Sequence, residues 1–432
     1  MRRISSRRQG GSFAVLMVTI VMVATGTWAR SNYKTLHRFA SDKDGRYPPG
    51  VIFDKAGNLY GPTPWGGDNE FGTIFKLTPN SDGRWRKSVL YNFCSLTNCT
   101  DGANPYVSLI FDDAGNLYGT TDQGGNRGFG SVFKLEPNSD GTWSESVLYG
   151  FCSVMDCADG ANPDSRLTLD QAGNLYGTTE YGGNRGFGTV FKLTPHPDGS
   201  WTESVLHRFC ALPDCSDGAY PFAGLIIDGT GNLYGTTMQG GNLRCSDYGC
   251  GVVFKLTPHP DGSWTESVLY SFCGLAKCRD GASPGANLIF DRAGSIYSTT
   301  KYGGVQGVGT VFQLAPNPDG TWKERVLHSF RTSDGSNPFN NSLIFDSAGN
   351  LYGTTSNGGG KGNCFGDGGC GVVFKLTPNS NGGWSRTVLH RFVDHPGAIP
   401  VGGLIFDAAG NLYGTTNGTG FDSRGSVFEI TP

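Results

Sequence analysis

The side chains best equipped for chemistry stand just after a repeated Thr-Thr pair. Read down the chain, that place holds Trp65, Asp122, Glu180-Tyr181, Met238, Lys301-Tyr302, Asn357 and Asn417. Arg127, Phe129, Arg185 and Phe187 fall in the same glycine-rich loops. Aromatic rings beside carboxylates and guanidinium groups suit a glycan or a peptide: the rings offer flat apolar faces and the charged groups offer strong hydrogen bonds. The competing reading is a solvated rim with no ligand.

A second set of carboxylates, Asp44, Asp101, Asp159, Asp217, Asp280 and Asp334, is in each case followed by glycine. Brought together at one end of a ring, Asp101, Asp159, Asp217 and Asp280 would offer hard oxygen ligands to Ca²⁺. An Asp-Gly turn is the simpler reading, and no metal is expected. Acid–base catalysis has two weak candidates, His395 and Glu180. His37, His207, His328 and His390 share one repeat position, and His196 and His259 lie in turns that should face the other way. A proton-transfer mechanism needs partners within hydrogen-bond reach, which His395 beside Asp394 hardly supplies. No nucleophile elbow, zinc-binding helix or phosphate loop occurs, since Gly-Gly-Asn-Arg-Gly-Phe-Gly at 124–130 joins two expected strands, so no cofactor is expected.

The elements that position these residues repeat. A run such as Leu109-Ile110-Phe111, then Asp112-Asp113-Ala114-Gly115, then Asn116-Leu117-Tyr118-Gly119-Thr120-Thr121, is a hairpin signal. Its tyrosine recurs at Tyr60, Tyr118, Tyr176, Tyr234, Tyr297, Tyr352 and Tyr413, at intervals of 58, 58, 58, 63, 55 and 61 residues. In the second copy the strands are expected at 108–112, 116–121, 131–135 and 143–151, with Pro137 and an Asn-Ser-Asp-Gly turn before the fourth. The first strand, apolar at consecutive positions, should be central and buried on both faces; the fourth should be peripheral. Four antiparallel strands per period of about 58 residues, with no helical periodicity, predict an all-β, seven-bladed β-propeller. A parallel β-helix has a much shorter period. In such blades two turn types share one face; the loops between strands two and three, and those between blades, share the other. The second face carries every cysteine pair and the variable residues. Residues common to all copies, including Gly115, Asn116, Tyr118, Thr120 and the fourth-strand tryptophans, are read as structural.

The two ends of the chain fit together. The last copy lacks a fourth strand, and 33–39 (Tyr-Lys-Thr-Leu-His-Arg-Phe) matches the fourth-strand sequence at 387–392. Residues 33–39 should therefore complete the seventh blade beside 425–431 and close the ring. Ahead of them, Arg2, Arg3, Arg7 and Arg8 precede an apolar run at 13–24, and Thr27-Trp28-Ala29 ends it. This reads as a signal peptide, 1–29, followed by one domain, 30–432. An uncleaved anchor is the alternative, but the run is short for a span. Twelve cysteines fall in six close pairs: Cys94/Cys99, Cys152/Cys157, Cys210/Cys215, Cys245/Cys250, Cys273/Cys278 and Cys364/Cys370. Disulfides are expected in an exported chain; metal sites would want histidines at ligand spacing, which are missing.

Gly at 68 of 432 residues with only 16% charged residues is the composition of a turn-dense β protein, not a disordered one. A net charge of −3 gives no field for nucleic acid or anionic membrane. The pattern DxAGNLYGTT…GxVFKLTP…DGxWxxSVLYxF resembles the GloVer tandem repeats of secreted bacterial choice-of-anchor proteins over nearly all of 33–432. Local departures are Pro62 and Pro64, Ser295 and Ser298, and the loop 418–420. The resemblance implies an exported repeat protein and little about activity. Relatives often end in an anchor, whereas this sequence stops at Pro432, which suggests release. The expectation is a monomeric, non-catalytic propeller, secreted, periplasmic or on the cell surface, that binds a glycan or an extracellular protein on its loop-rich face. A lyase or hydrolase with its site at the channel mouth, and a structural envelope protein, are the alternatives.

Overall fold

The computed structural model describes residues 31–245, 248–339, 342–362, 364, 368–393, 397–418 and 424–432. Residues 31–432 form one compact unit. It holds seven antiparallel sheets. In the second blade the strands are Ile110–Phe111, Leu117–Thr121, Ser131–Pro137 and Trp143–Gly150, in that order across the sheet. The other blades repeat the pattern, and the fifth adds a short strand, Ala282–Pro284. No described helix is long and apolar enough to cross a membrane.

The local chemistry of the hairpin repeats from blade to blade, except that Ser295 stands in place of the turn asparagine in the fifth. Asp112 accepts hydrogen bonds from the Asn116 backbone N–H at 2.8 Å, the Asn116 side chain at 2.7 Å and the Tyr118 hydroxyl at 3.1 Å. Gly115 closes the turn at φ +89°, a region that costs glycine little. Gly119 is needed for a different reason: a Cβ there would lie 2.6 Å from the Phe133 ring.

Burial departs from one expectation. The first strand is only two residues long and partly exposed in most blades, whereas the second is buried along its whole length. A ring of seven sheets leaves a central channel, so the innermost strand has one side on open space. Its residues from all seven blades line a cavity of about 820 Å³. The fourth strand alternates exposed and partly buried residues, as a peripheral strand should.

Each interface between neighbouring blades is sealed by a pair of phenylalanines, one from the fourth strand and one from the third strand of the next blade. Phe93–Phe133, Phe151–Phe191, Phe209–Phe254 and Phe272–Phe312 have ring centroids 5.0 Å apart. Phe330–Phe374, Phe392–Phe428 and Phe39–Phe75 stand at 5.2, 5.4 and 5.3 Å. All but Phe209 among the fourth-strand rings are at most 1% exposed, so these pairs form the core of each contact.

Asn32–Arg38 pairs antiparallel with Ser426–Thr431, placing Tyr33 opposite Ile430 and His37 opposite Val427. One strand from the chain's start completes the blade begun at its end, and Phe39 carries that blade's seal to the first. The ring closes as the sequence predicts.

Candidate functional site

The loops between blades and the loops between second and third strands are fastened to each other. The Asp122 N–H donates to Asn104 O and the Glu180 N–H to Asn162 O, each at 3.0 Å. Asn162 also spans two blades: its N–H donates to Phe129 O at 2.9 Å, and its side-chain amide donates to Asp122 Oδ1 at 2.9 Å. These bonds set Asp122 and Glu180 at one side of the channel mouth, beside residues that lead into the innermost strands.

Three carboxyls meet there. Asp164 lines the channel, and its Oδ1 is buried with no hydrogen-bond partner. Burial pushes the Asp164 carboxyl well above the usual range, and the charges of Asp122 and Glu180 push it further. Burial also raises Asp122, against the opposing bond from Asn162. Glu180 is raised first by burial, partly offset by its bond to Tyr181, with a further push from Asp122. Two phenols sense the same charges: Tyr106 and Tyr181 are each pushed up to about 12, first by burial and then by these carboxyls. Such a group of mutually perturbed acids in a concave mouth is the arrangement expected of a binding or reacting site.

Aromatic rings surround the acids. Trp65 meets Tyr106 edge to face at 6.3 Å, and Tyr220 takes the edges of Tyr181 at 5.7 Å and Phe187 at 5.3 Å. On the far side of the mouth Phe339 stacks on Phe222 at 5.4 Å. Phe339 reaches across the fifth blade, where Gly285 makes room: a Cβ there would lie 2.4 Å from the ring. The Lys301 ammonium sits 4.4 Å from the Phe339 centroid and 5.1 Å from that of Tyr302.

Of the sequence candidates, Trp65, Asp122, Glu180, Tyr181 and Phe187 come together, and Lys301 and Tyr302 form a second group with Phe339. Arg185 is engaged elsewhere, donating to Cys210 O at 2.9 Å in a disulfide-clamped loop. Arg127 and Phe129 are exposed in their loop. His395 lies outside the described residues.

Asp101, Asp159, Asp217 and Asp280 do not converge at the mouth. Each is buried between blades and holds a disulfide loop: Asp101 accepts from the Ser95 and Leu96 N–H groups at 2.8 and 3.2 Å and from the Tyr91 hydroxyl at 2.8 Å. Asp159, Asp217 and Asp280 repeat this with Tyr149, His207 and Tyr270. With three or more bonds already accepted, these carboxylates form turn anchors and have little left to offer an ion.

All six cysteine pairs are disulfides: Cys94–Cys99, Cys152–Cys157, Cys210–Cys215, Cys245–Cys250, Cys273–Cys278 and Cys364–Cys370. None of the twelve lines the channel. Their part is to hold the loops that frame the mouth. The second cysteine of the pair carries the splint. Cys99 O accepts from the Gly102 and Gly125 N–H groups, each at 2.9 Å, and so ties a loop between blades to a loop between second and third strands. Cys157 O does the same with Gly160 and Gly183 at 2.9 Å, and Cys215 O with Gly218 and Gly241 at 2.8 and 2.9 Å. Cys99, Cys157, Cys215 and Cys278 all take positive φ, a backbone state uncommon for a non-glycine residue. Cys364–Cys370 closes a longer loop within one blade, and Cys370 O accepts from the Ile399 N–H of the next at 2.9 Å. The sulfurs of Cys250, Cys273 and Cys278 lie close together, but each belongs to a disulfide and none is a thiolate.

Sequence reasoning missed Tyr106, Asp164, Tyr220, Phe222 and Phe339. A signal was present. Around the repeated proline that leads into each first strand (Pro105, Pro163, Pro221, Pro284, Pro338), the following residue changes from Tyr106 to Asp164, Phe222, Gly285 and Phe339 while its surroundings repeat.

The repeat is one already defined in other proteins: the profile of the Gloeobacter/Verrucomicrobia repeat matches residues 18–246 and 244–432. The chain belongs to that family. Among solved structures, the chain resembles the extracellular domain of a B. thetaiotaomicron protein described as a putative hybrid two component system, BT4673. The TM-score is 0.52 at 12% identity over 91% of this chain, a likeness of fold alone. This member of the family spans 39% of the length of that protein chain. No curated protein matches it.

Proposed function

We propose that this protein is exported by the signal peptide at 1–29 and binds a glycan at the channel mouth. The single observation that carries this reading is the grouping of Trp65, Tyr106, Tyr181 and Tyr220 around Asp122, Asp164 and Glu180. Sugar rings present apolar C–H faces to aromatics and hydroxyls to carboxyls, so one mouth serves both. Six disulfides, with no free cysteine among the described residues, suit an oxidising compartment. The test is an oligosaccharide screen read by thermal shift, since a ligand that binds only the folded state raises its melting temperature. Binding should be lost in Trp65→Ala and Tyr181→Ala. A hit that both variants retain overturns the assignment to this mouth.

A second reading has one observation in its favour. The Asp164 and Glu180 carboxyls, raised by burial and by neighbouring carboxyls, suit a general acid in glycan cleavage. Product release that disappears in Glu180→Gln supports it; glycan binding with no product sinks it.

A further inference from the structure

Arg166 stands one residue before the first-strand leucine of the third blade and lines the channel. The corresponding residues of the other blades are Gly50, Ser108, Gly224, Asn287, Ser342 and Gly403. One position in seven carries a charge. Asn287 and Ser342 are engaged with their neighbours in this ring: Asn287 Oδ1 accepts from the Gly224 N–H at 2.6 Å, and the Asn287 side-chain amide donates to Ser342 Oγ at 2.8 Å. Gly224 makes room for its neighbour, since a Cβ there would lie 2.6 Å from Arg166 O and 3.1 Å from Arg166 Cβ.

The Arg166 guanidinium has no hydrogen bond or ion pair to any described residue. It is exposed to the channel, yet protein walls surround it and depress its pKa through desolvation. Other cations set between protein walls are paired: Lys87 lies 2.8 Å from Asp44 and Arg386 3.4 Å from Asp334. The five donors of the fork remain available to something that enters the channel, and their spacing matches two oxygens of one anion.

We infer that Arg166 binds the carboxylate or sulfate of an acidic oligosaccharide whose sugar rings occupy the mouth. The identity of the ligand rests on the glycan reading above; the anion contact does not. The rest of the channel lining is mostly apolar side chains such as Phe53 and Ile226; the one carboxylic acid in it is Asp164, which burial and the neighbouring carboxyls push toward its neutral form.

The test measures binding of tri-galacturonate, a sulfated disaccharide, inorganic sulfate and neutral maltotriose to the wild-type protein, Arg166→Gln and Trp65→Ala. In the absence of ligand, Arg166→Gln should melt at or above the wild-type temperature; a marked drop would show that the side chain is structural and overturn the inference. At least one acidic probe should bind the wild type and lose tenfold or more in Arg166→Gln, while maltotriose is unaffected by that change. Dependence for tri-galacturonate assigns a carboxylate, and dependence for the sulfated sugar or free sulfate assigns a sulfate. Acidic probes that bind Arg166→Gln as well as wild type, or none that binds the wild type, refute it. Loss in Arg166→Gln with no loss in Trp65→Ala keeps the anion site and removes the mouth.

Discussion

Two kinds of contact hold neighbouring blades together at the same place in the repeat. Between the seventh and first blades, Lys87 donates to Asp44 O at 2.6 Å and to Asp44 Oδ1 at 2.8 Å. Between the fifth and sixth, Arg386 stands 3.4 Å from Asp334. At four other interfaces the cation's place is taken by glutamate: Glu145 faces Asp101, Glu203 faces Asp159, Glu266 faces Asp217 and Glu324 faces Asp280. One Oε1 of each glutamate is buried without a partner. At the remaining interface Tyr33 stacks on His390 at 4.2 Å. The phenylalanine seal is common to all seven, so the ring does not depend on any one electrostatic solution. What differs is the response to protons. Burial, then the facing aspartate, pushes Glu145 and Glu324 up to about 8 and Glu266 up to about 7. Glu203 reaches about 7 by the same causes, moderated by Arg208.

The largest effect should come from removing the strand that makes the seventh interface. Deleting residues 31–39 takes away the Tyr33–His390 stack, the pairing with Ser426–Thr431 and the Phe39–Phe75 seal at once. An open seventh sheet exposes an edge and two apolar faces, so calorimetry should show a sharply lower melting temperature or none at all. An unchanged melting curve would mean that the seals, taken one at a time, are dispensable.

The four glutamate interfaces predict a loss of stability on the alkaline side. A carboxyl whose folded pKa lies above its unfolded value of about 4.5 binds extra protons in the folded state, and stability falls as pH rises through that interval. The fall should run from about pH 5 to pH 8 and then level off. The groups that titrate are the four glutamates; around them stand the facing aspartates, which are bonded in turn to Tyr91, Tyr149, His207 and Tyr270. Two effects act at lower pH with opposite sign. His390, held near 4 by burial, favours the neutral form and costs stability as pH falls below about 6.5. Turn aspartates such as Asp228, lowered to about 2 by bonds from Asn232 and Thr230 that outweigh its burial, do the same below pH 4. Four glutamates outweigh one histidine above that pH, so the optimum should sit at about pH 4.5–5. Partial solvent access reduces each glutamate to about 1 kcal/mol, so four should lower the melting temperature by about 5 °C between pH 6 and 9 for a chain of this size. A glutamine at all four positions should flatten that slope; a slope that persists would locate the effect elsewhere.

Ring closure was legible because it rests on periodicity: a missing fourth strand at one end and a matching segment at the other need no three-dimensional knowledge. The disulfides were legible for the same kind of reason, since Cys94 and Cys99 are neighbours in sequence before they are neighbours in space. The Asp–Glu pairs were not, because Asp101 and Glu145 belong to different repeats and meet only when blades pack. The mouth was half legible. Asp122, Glu180 and Tyr181 vary directly after a constant Thr-Thr pair, while Tyr106 and Asp164 vary in the loops between blades, behind a constant Asp-Gly. Arg185 looked equivalent to its neighbours in sequence, yet the length of its side chain lets it reach Cys210 O and leave the mouth.

The comparison can be broken at a single interface by Lys87→Glu, which turns the ion pair into a fifth carboxyl pair. Lys87 is 8% and Asp44 22% exposed, so removing the cation leaves a poorly hydrated carboxylate whose remaining side-chain partner is His37 at 3.0 Å. Above pH 8 the new glutamate must ionise beside Asp44, and the expected loss is about 3 kcal/mol, the cost of breaking a partly buried pair. Near pH 5 the same glutamate can hold a proton, as its four counterparts do, and donate it to Asp44; the loss should shrink to about 1 kcal/mol, a neutral hydrogen bond standing in for a charged one. Chemical denaturation at the two pH values reads both numbers. An equal loss at both would show that Lys87 acts through its packed stem more than through its charge.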